Sequence, residues 1–304
     1  MTWRTRTRLL GLGAIYDAGV DGLRRKLFPA VWGLMWPVRA YIRHWPVNRG
    51  KGLLERLLIE PLLPPRPISF DQRVWGGGVV RLLYRERIGL STLLHGSFEE
   101  AEVGFVCDWV ERGSVVIDVG ANVGIFTVPL ATAVGEEGSV WAIEPSPENV
   151  RRLRRNLEIN QLHNVRILEV ALAARAGSSW LRLREDPAYA TISSVAPGKS
   201  AEPMIPVDVL RLDDLWRDAG RPTIAAIKID VEGAELDVVR GAEELLEVTA
   251  PLVLIEVAER ADTAEVMARL TRFGYRHVSR PDFEPWNHLF IRPREAHTGA
   301  RSAA

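Results

Sequence analysis

The sequence predicts an α/β fold, a mostly parallel sheet with an inserted β-hairpin and an amino-terminal helical extension. From residue 115 onward, short apolar runs alternate with segments of helical periodicity, the pattern of parallel strands covered by helices on both faces. A glycine loop follows the first of these runs, residues 115–117, as expected where a parallel strand turns into a helix. Several runs end in an acidic residue, at the edge where open α/β sheets bind ligands. These three observations indicate a ligand-binding core.

Length and local composition divide the 304-residue chain into four regions. They are a basic, Trp-rich helical extension with a Pro-rich connector (1–67), strands and a lead-in helix (68–113), the core (114–293) and a disordered tail (294–304). In the second region, residues 79–84 indicate a strand and residues 99–112 a helix that ends at Gly113.

The overall charge argues against a nucleic-acid-binding surface, because 39 basic residues balance 39 acidic ones. Cys107 is the single cysteine, which excludes an internal disulfide and predicts a reducing, cytoplasmic compartment. No Cys/His cluster is present, so nothing resembles a zinc site, and we name no metal ligands. Whether the dense carboxylates of the core bind a divalent metal stays open.

The first 51 residues depart from this neutral balance. They contain ten basic residues against two acidic ones, a net charge of +8, and four of the ten tryptophans. The apolar run 27–38 is too short, and too interrupted by prolines, to span a bilayer. One interpretation is peripheral contact of residues 1–60 with the inner face of a membrane; the other is helices packed on the core or on a partner subunit.

The core opens with half of a nucleotide-cofactor site. Asp118 stands at the carboxyl end of the first strand, and Gly120 and Gly124 allow a tight turn close to a ligand. A second strand, residues 140–143, ends at Glu144, where an acid can accept hydrogen bonds from both hydroxyls of a ribose.

The loop spacing favours one cofactor over another. A dinucleotide loop has the form G-x-G-x-x-G and rests a pyrophosphate on a helix amino terminus, whereas this loop is D-x-G-x-x-x-G. A carboxylate at Asp118 opposes a pyrophosphate but attracts the cationic methionine end of S-adenosylmethionine. We therefore predict S-adenosylmethionine as the cofactor.

The next elements continue and then interrupt the alternation. Residues 147–161 indicate a helix capped by Ser146, and residues 165–170 a third strand. The period-two segments 180–184 and 205–210 then indicate an inserted hairpin, with a role either as a lid over the binding edge or as a structural element.

A second group of charges lies near the carboxyl end of the core. Lys228, Asp230 and Glu232 follow at two-residue steps along an otherwise apolar strand, which places them on one face. The next strand ends at Glu256; if the two strands are neighbours, Lys228 holds the carboxylates and lowers their pKa values. The cluster is either an active site, which we favour, or a structural ion network.

His277 and His288, which lie in an expected closing antiparallel pair, remain without a role.

The motifs DVGANVGIFT, AIEPSPENVRRLRRNLEIN, IKIDVEGAE, LVLIEV and NHLFI resemble those of the FkbM family of S-adenosylmethionine-dependent methyltransferases. The resemblance covers roughly residues 114–293 and excludes the basic extension. It implies the class I methyltransferase (Rossmann-like) fold, with a seven-stranded, mostly parallel sheet whose last hairpin supplies an antiparallel strand. It also implies O-methylation of a hydroxyl on a carbohydrate, glycolipid or related natural product.

On this interpretation the candidate residues divide between cofactor and chemistry. The cofactor-binding candidates are Asp118, Gly120, Asn122 and Gly124 for the methionine end, Glu144 for the ribose, Glu169, Val170 and Ala171 for the adenine, and, without an assigned part of the cofactor, Thr127, Pro145, Ser146 and Asp230. The catalytic candidates are Asp230 as first choice of base, Glu232 as second, and Lys228 and Glu256. The alternatives are a non-catalytic scaffold of the same fold and a nicotinamide-dependent oxidoreductase.

Overall fold

The computed structural model describes residues 69–84, 86–183, 191–193, 203–257 and 260–293. The expected amino-terminal helical extension and the carboxyl-terminal tail lie outside these residues. The chain divides into two compact units, residues 1–70 with 82–98, and residues 71–81 with 99–304. The first contains helix α1 (Arg87–His95), and the second contains the α/β core.

The strands are β1 (Ser69–Arg73), β2 (Val79–Leu83), β3 (Val115–Val119), β4 (Ser139–Ile143), β5 (Val165–Leu168), β6 (Ala171–Leu172), β7 (Gly177–Arg182), β8 (Thr191–Ser193), β9 (Met204–Leu210), β10 (Ile224–Ile229), β11 (Leu252–Glu256), β12 (Arg276–Val278) and β13 (Asn287–Ile291). The other helices are α2 (Glu100–Trp109), α3 (Thr127–Val134), α4 (Pro147–Ile159), α5 (Leu212–Asp218), α6 (Glu235–Arg240), α7 (Glu243–Thr249) and α8 (Arg260–Arg272). A 3-10 turn occupies Trp75–Gly77.

The central sheet has seven strands in the order β12-β13-β11-β10-β3-β4-β5. Neighbours from β11 to β5 are parallel, and β13 runs antiparallel to both β11 and β12. This confirms the predicted class I methyltransferase fold. Because the chain moves from β3 to one side and later returns to the other, the strand order reverses at β3, where open α/β sheets place their ligands.

The core of this unit lies on the apolar faces of the central strands. Ile117, Ile227 and Val253, from β3, β10 and β11, are fully buried and belong to one hydrophobic cluster. Parallel strands covered by helices on both faces require such continuous apolar runs. Across the described residues, no helix has both the length and the apolar character that crossing a membrane requires.

The predicted hairpin belongs to a second sheet of four strands, β6-β9-β7-β8. β7 pairs with β9 in antiparallel register, with Leu181 opposite Ile205. The short strand β6 adds a parallel pairing to β9 that the sequence does not predict. The lid role of this hairpin stays a prediction, since residues 184–190 and 194–202 between its strands lie outside the described residues.

Candidate active site

The glycine loop after β3 packs closely against the end of β10. Gly120 has a φ of +82°, and a Cβ at this position would lie 1.7 Å from the carbonyl oxygen of Asp230. The amide of Asp230 donates in turn to the carbonyl oxygen of Val119, over 3.0 Å. Gly124 has a φ of +98°, and its Cβ would lie 2.8 Å from Leu153 of α4. Both glycines are therefore needed for the loop to approach its neighbours.

Asp118 is fully buried at the base of this loop. Its Oδ2 accepts a 2.6 Å hydrogen bond from the hydroxyl of Thr127, whereas its Oδ1 is shielded from solvent and has no partner within the protein. Burial raises the pKa of Asp118, against the opposing effect of the Lys228 charge. An unpartnered buried acceptor fits a ligand that brings donors, such as the ammonium of S-adenosylmethionine.

Glu144 is held by donors from three places in the chain. Its Oε2 accepts from the amide of Asn122 over 2.9 Å, and its Oε1 accepts from the amide of Ser146 over 2.9 Å and from the Asn149 side chain over 3.2 Å. Burial raises the pKa of Glu144 to about 7, although these donors act to lower it. The structure thus brings together the predicted residues Asn122, Glu144 and Ser146. Sequence reasoning missed Asn149.

Ser146 also confirms its predicted role as a helix cap, since its hydroxyl oxygen accepts from the Asn149 amide over 3.5 Å. Pro145, next to it, is partly buried.

The three candidates for the adenine side, residues 169–171, differ in their burial and in their contacts. Glu169 is exposed and forms an ion pair with Arg154 over 2.5 Å. Val170 packs against the main hydrophobic cluster, and Ala171 is buried in β6. The carbonyl oxygen of Leu168 accepts from the amide of Glu144, which places this segment beside the ribose candidate.

The ammonium group of Lys228, near the end of β10, is a buried cation of the protein. Lys228 is level with Asp118 in the sheet, and its Nζ donates to Asp230 Oδ2 over 2.8 Å. The same Nζ lies 4.7 Å from the centre of the Phe126 ring, within range of a cation–π contact. Burial alone would lower the pKa of Lys228, but the charges of Asp230, Asp118 and Glu99 raise it above its ordinary value.

The structure corrects two expectations about this charged group. β10 and β11 are neighbours, and Ile229 pairs with Ile255, so Asp230 and Glu256 follow at the same level. However, the pKa of Glu256 is raised rather than lowered, because burial and the charges of Asp230 and Glu99 outweigh Lys228.

The second correction concerns the expectation that Lys228, Asp230 and Glu232 lie on one face of a strand. β10 ends at Ile229, and Glu232 lies beyond it with a φ of +53°, so strand alternation does not extend to Glu232.

Sequence reasoning missed a group of residues beside Glu256. Glu102 of α2 is buried, and its Oε1 accepts from the amide of Glu284 over 2.6 Å and from the Asn287 side chain over 3.2 Å. Glu99 lies within reach of the same Asn287, and burial raises its pKa to about 7. Acidic residues are common at the start of a helix, so the sequence did not mark Glu99 as a candidate site residue. Asn287 is the first residue of the motif NHLFI and could have been named as a candidate from that motif.

His277 and His288 form a contact of 3.4 Å between ring nitrogens. Burial and the neighbouring His277 lower the pKa of His288. Among the described residues, no group of three or more His, Cys, Asp or Glu is arranged to hold a metal ion.

The fold is that of a class I methyltransferase, and the candidate site lies where the strand order reverses. The chain belongs to the FkbM methyltransferase family, because the family model described as the methyltransferase FkbM domain matches residues 118–277, more than half of the 304 residues. Its cofactor is S-adenosylmethionine, as for the family.

Three curated proteins illustrate the range of relatives. Methyltransferase 1 of Beauveria bassiana is 26% identical over 191 residues, covering 57% of this chain and 76% of that protein. The hexuronic acid methyltransferase AglP of Haloferax volcanii is 25% identical over 173 residues, covering 57% of this chain and 68% of that protein. The 2-O-methyltransferase NoeI of Sinorhizobium fredii is 28% identical over 146 residues, covering 43% of this chain and 58% of that protein, less than two thirds.

Proposed function

We propose that this protein transfers a methyl group from S-adenosylmethionine to a hydroxyl oxygen of a carbohydrate, glycolipid or related natural product. The observation that carries the proposal is the gathering of protonatable carboxyls, Glu99 and Glu256 among them, around Lys228 and Asp230 beside the cofactor loop. Such a group suits removal of a proton from a weak nucleophile. The relatives named as hexuronic acid methyltransferase and 2-O-methyltransferase support a sugar hydroxyl.

The cofactor supplies an electrophilic methyl group on a sulfonium. Asp118, through its unpartnered Oδ1, takes donors at the methionine end, where Gly120 and Gly124 keep the backbone close and Thr127 fixes the carboxylate. Glu144, oriented by Asn122 and Ser146, accepts from the ribose hydroxyls. Residues 169–171 line the adenine side.

The remaining carboxylates serve the acceptor. Transfer of a methyl group between two heteroatoms is an in-line displacement, so alignment of the acceptor oxygen and exclusion of water supply much of the rate. A base within hydrogen-bond reach of the hydroxyl adds to this. Asp230 is the first candidate from the sequence and Glu232 the second, with Glu256 beside them.

The test is direct transfer of isotope-labelled methyl from S-adenosylmethionine to neutral methyl pyranosides and to lipid and glycan extracts of the source cells. We expect a methyl ether, identified by mass spectrometry and NMR. Methylation of nitrogen or carbon would contradict O-methylation. Binding of S-adenosylmethionine without any transfer would favour the scaffold alternative, and binding of NAD in its place would favour the oxidoreductase.

A further inference from the structure

Glu99 differs from Glu102 and Glu144, two other carboxylates of the α/β unit that are shielded from solvent. Both oxygens of Glu144, and Oε1 of Glu102, accept hydrogen bonds from backbone amides and side chains of the protein. The side chain of Glu99 is half-buried overall, yet its Oε2 is shielded from solvent and has no partner within the protein. Buried acceptors without partners are uncommon and destabilising unless a ligand satisfies them. Trp286, next to Asn287 in the chain, has a shielded Nε1 donor in the same condition.

 The position of Glu99 is fixed by its neighbours α2 and β13. Glu99 immediately precedes α2 and has a φ of +48°, a left-handed conformation that is unfavourable for a residue other than glycine. Its carboxylate lies within hydrogen-bonding reach of the Asn287 side chain at the start of β13. It also interacts electrostatically with Lys228, Asp230 and Glu102. Backbone strain of this kind persists where the surrounding structure holds it, and it clusters at functional sites.

Asp230 is less suited to receive a proton than Glu99. Its Oδ2 accepts from Lys228, whose side chain is only 6% exposed. A proton on Asp230 would leave this buried ammonium without its ion-pair partner, which is unfavourable in a poorly solvated site. A proton on Glu99 leaves the pair between Lys228 and Asp230 intact. Proton transfer to Glu99 therefore disturbs the site less.

We propose that Glu99 is a catalytic residue, whose Oε2 accepts the hydrogen bond of the acceptor hydroxyl and then takes its proton. The inference rests on the proposed O-methyl transfer. A bond forms between the acceptor oxygen and the methyl carbon, the bond between that carbon and the sulfonium sulfur breaks, and its electron pair stays on sulfur. The O–H proton passes to Glu99, so a carboxylate and a sulfonium become a carboxylic acid and a neutral thioether.

The electrostatic surroundings agree with this role. Burial and the nearby carboxylates Asp230 and Glu102 raise the pKa of Glu99 to about 7, against the effects of Lys228 and Asn287. A base works best when its pKa lies near the working pH. The charge of Glu99 also raises the pKa of Glu256. Glu256 then stays protonated while Glu99 is ionised, since two carboxylates in one site resist double ionisation.

The experiment compares E99Q with E100Q in the full-length protein. Glu100 is the next residue and is exposed, so E100Q removes the same charge from the same helix start without touching the site. The readouts are the affinity for S-adenosylmethionine by calorimetry and the rate of labelled methyl transfer into soluble and membrane extracts of the source cells. We expect E99Q to reduce the rate by about 10²–10⁴-fold with cofactor affinity unchanged, and E100Q to leave both unchanged. E99D, which keeps a carboxylate, should retain more activity than E99Q.

Several results would overturn the inference. E99Q with more than a tenth of the wild-type rate would remove Glu99 from catalysis, and loss of cofactor binding in E99Q would make its role structural. A full effect of D230N with a weak effect of E99Q would return the base to Asp230. The proposed function fails separately, by the nature of the product: label on a nitrogen or a carbon refutes O-methylation whatever E99Q does. Absence of label with the wild type refutes both.

Discussion

At the scale of single residues, Asp118 carries the clearest prediction for the cofactor. Its buried Oδ1 has no hydrogen-bond partner within the protein, and its Oδ2 accepts a hydrogen bond from the hydroxyl of Thr127. We expect Asp118→Asn to weaken S-adenosylmethionine binding by about 1.5–3 kcal/mol, the contribution of a hydrogen bond to a charged group. Isothermal titration calorimetry measures this change, and Asp108→Asn, at an exposed position of α2, is the matched control. Equal affinities in the two variants would remove Asp118 from the cofactor site.

Glu144 carries a prediction on pH dependence. Burial raises its pKa to about 7, so its ionised fraction increases from roughly a tenth at pH 6 to nine tenths at pH 8. Only the ionised form accepts from two ribose hydroxyls at once, so the affinity for S-adenosylmethionine should increase over this range by up to about tenfold. Glu144→Gln should lose this dependence in the same titrations. An identical pH profile in wild type and variant would contradict the ribose assignment.

Residue-level prediction from sequence succeeds where the signal is local. Asp118 lies near the end of β3 and Glu144 directly follows β4, and an apolar run next to a glycine loop is visible in the sequence alone. Glu99 was missed because its partner Asn287 lies far along the chain and no local pattern connects them. The direction of the Glu256 shift was wrong for a similar reason. It depends on the balance of burial and several charges, which only the folded distances determine.

At the scale of elements, the junction between β3 and β10 depends on Gly120. A methyl group at this position would overlap the backbone of Asp230. That backbone is held in place because its amide donates a hydrogen bond to the carbonyl oxygen of Val119. Gly113 provides a matched control, since its φ of +86° is similar and no atom lies within 4 Å of its Cβ position. We expect Gly113→Ala to cost about 1–2 kcal/mol of unfolding free energy, and Gly120→Ala to cost more than about 4 kcal/mol. Urea denaturation gives both values; equal losses would show that φ alone matters at Gly120.

The elements themselves were predictable to different extents. β3, β4, β10 and β11 follow from continuous apolar runs, and the cap at Ser146 follows from its position before Pro147. β6 was not predicted because two residues give no periodicity; its pairing with β9 depends on tertiary position. The end of β10 at Ile229 was also misplaced, since alternation of charges continues in sequence after the strand has turned.

At the scale of the whole molecule, neutral net charge conceals an uneven distribution. The first 51 residues carry a net charge of +8, with Trp32, Trp36 and Trp45 beside the apolar run 27–38. The hypothesis that this region docks on an anionic membrane surface remains a prediction from sequence, because these residues lie outside those the structure describes. The order of the strands in the sheet, in contrast, was not predicted, since apolar runs do not specify which strands are neighbours.

Membrane docking can be tested by co-sedimentation of the full-length protein with vesicles rich in anionic lipid. Each basic residue near such a surface contributes about 1 kcal/mol, so R39A/R43A should weaken binding by roughly 30-fold. R151A/R155A, which removes two exposed charges from α4, is the matched control and should bind as wild type does. Binding should also weaken as salt screens the charges. Equal sedimentation of all three proteins, or none with any of them, would instead favour the alternative in which the extension packs on the core or on a partner subunit.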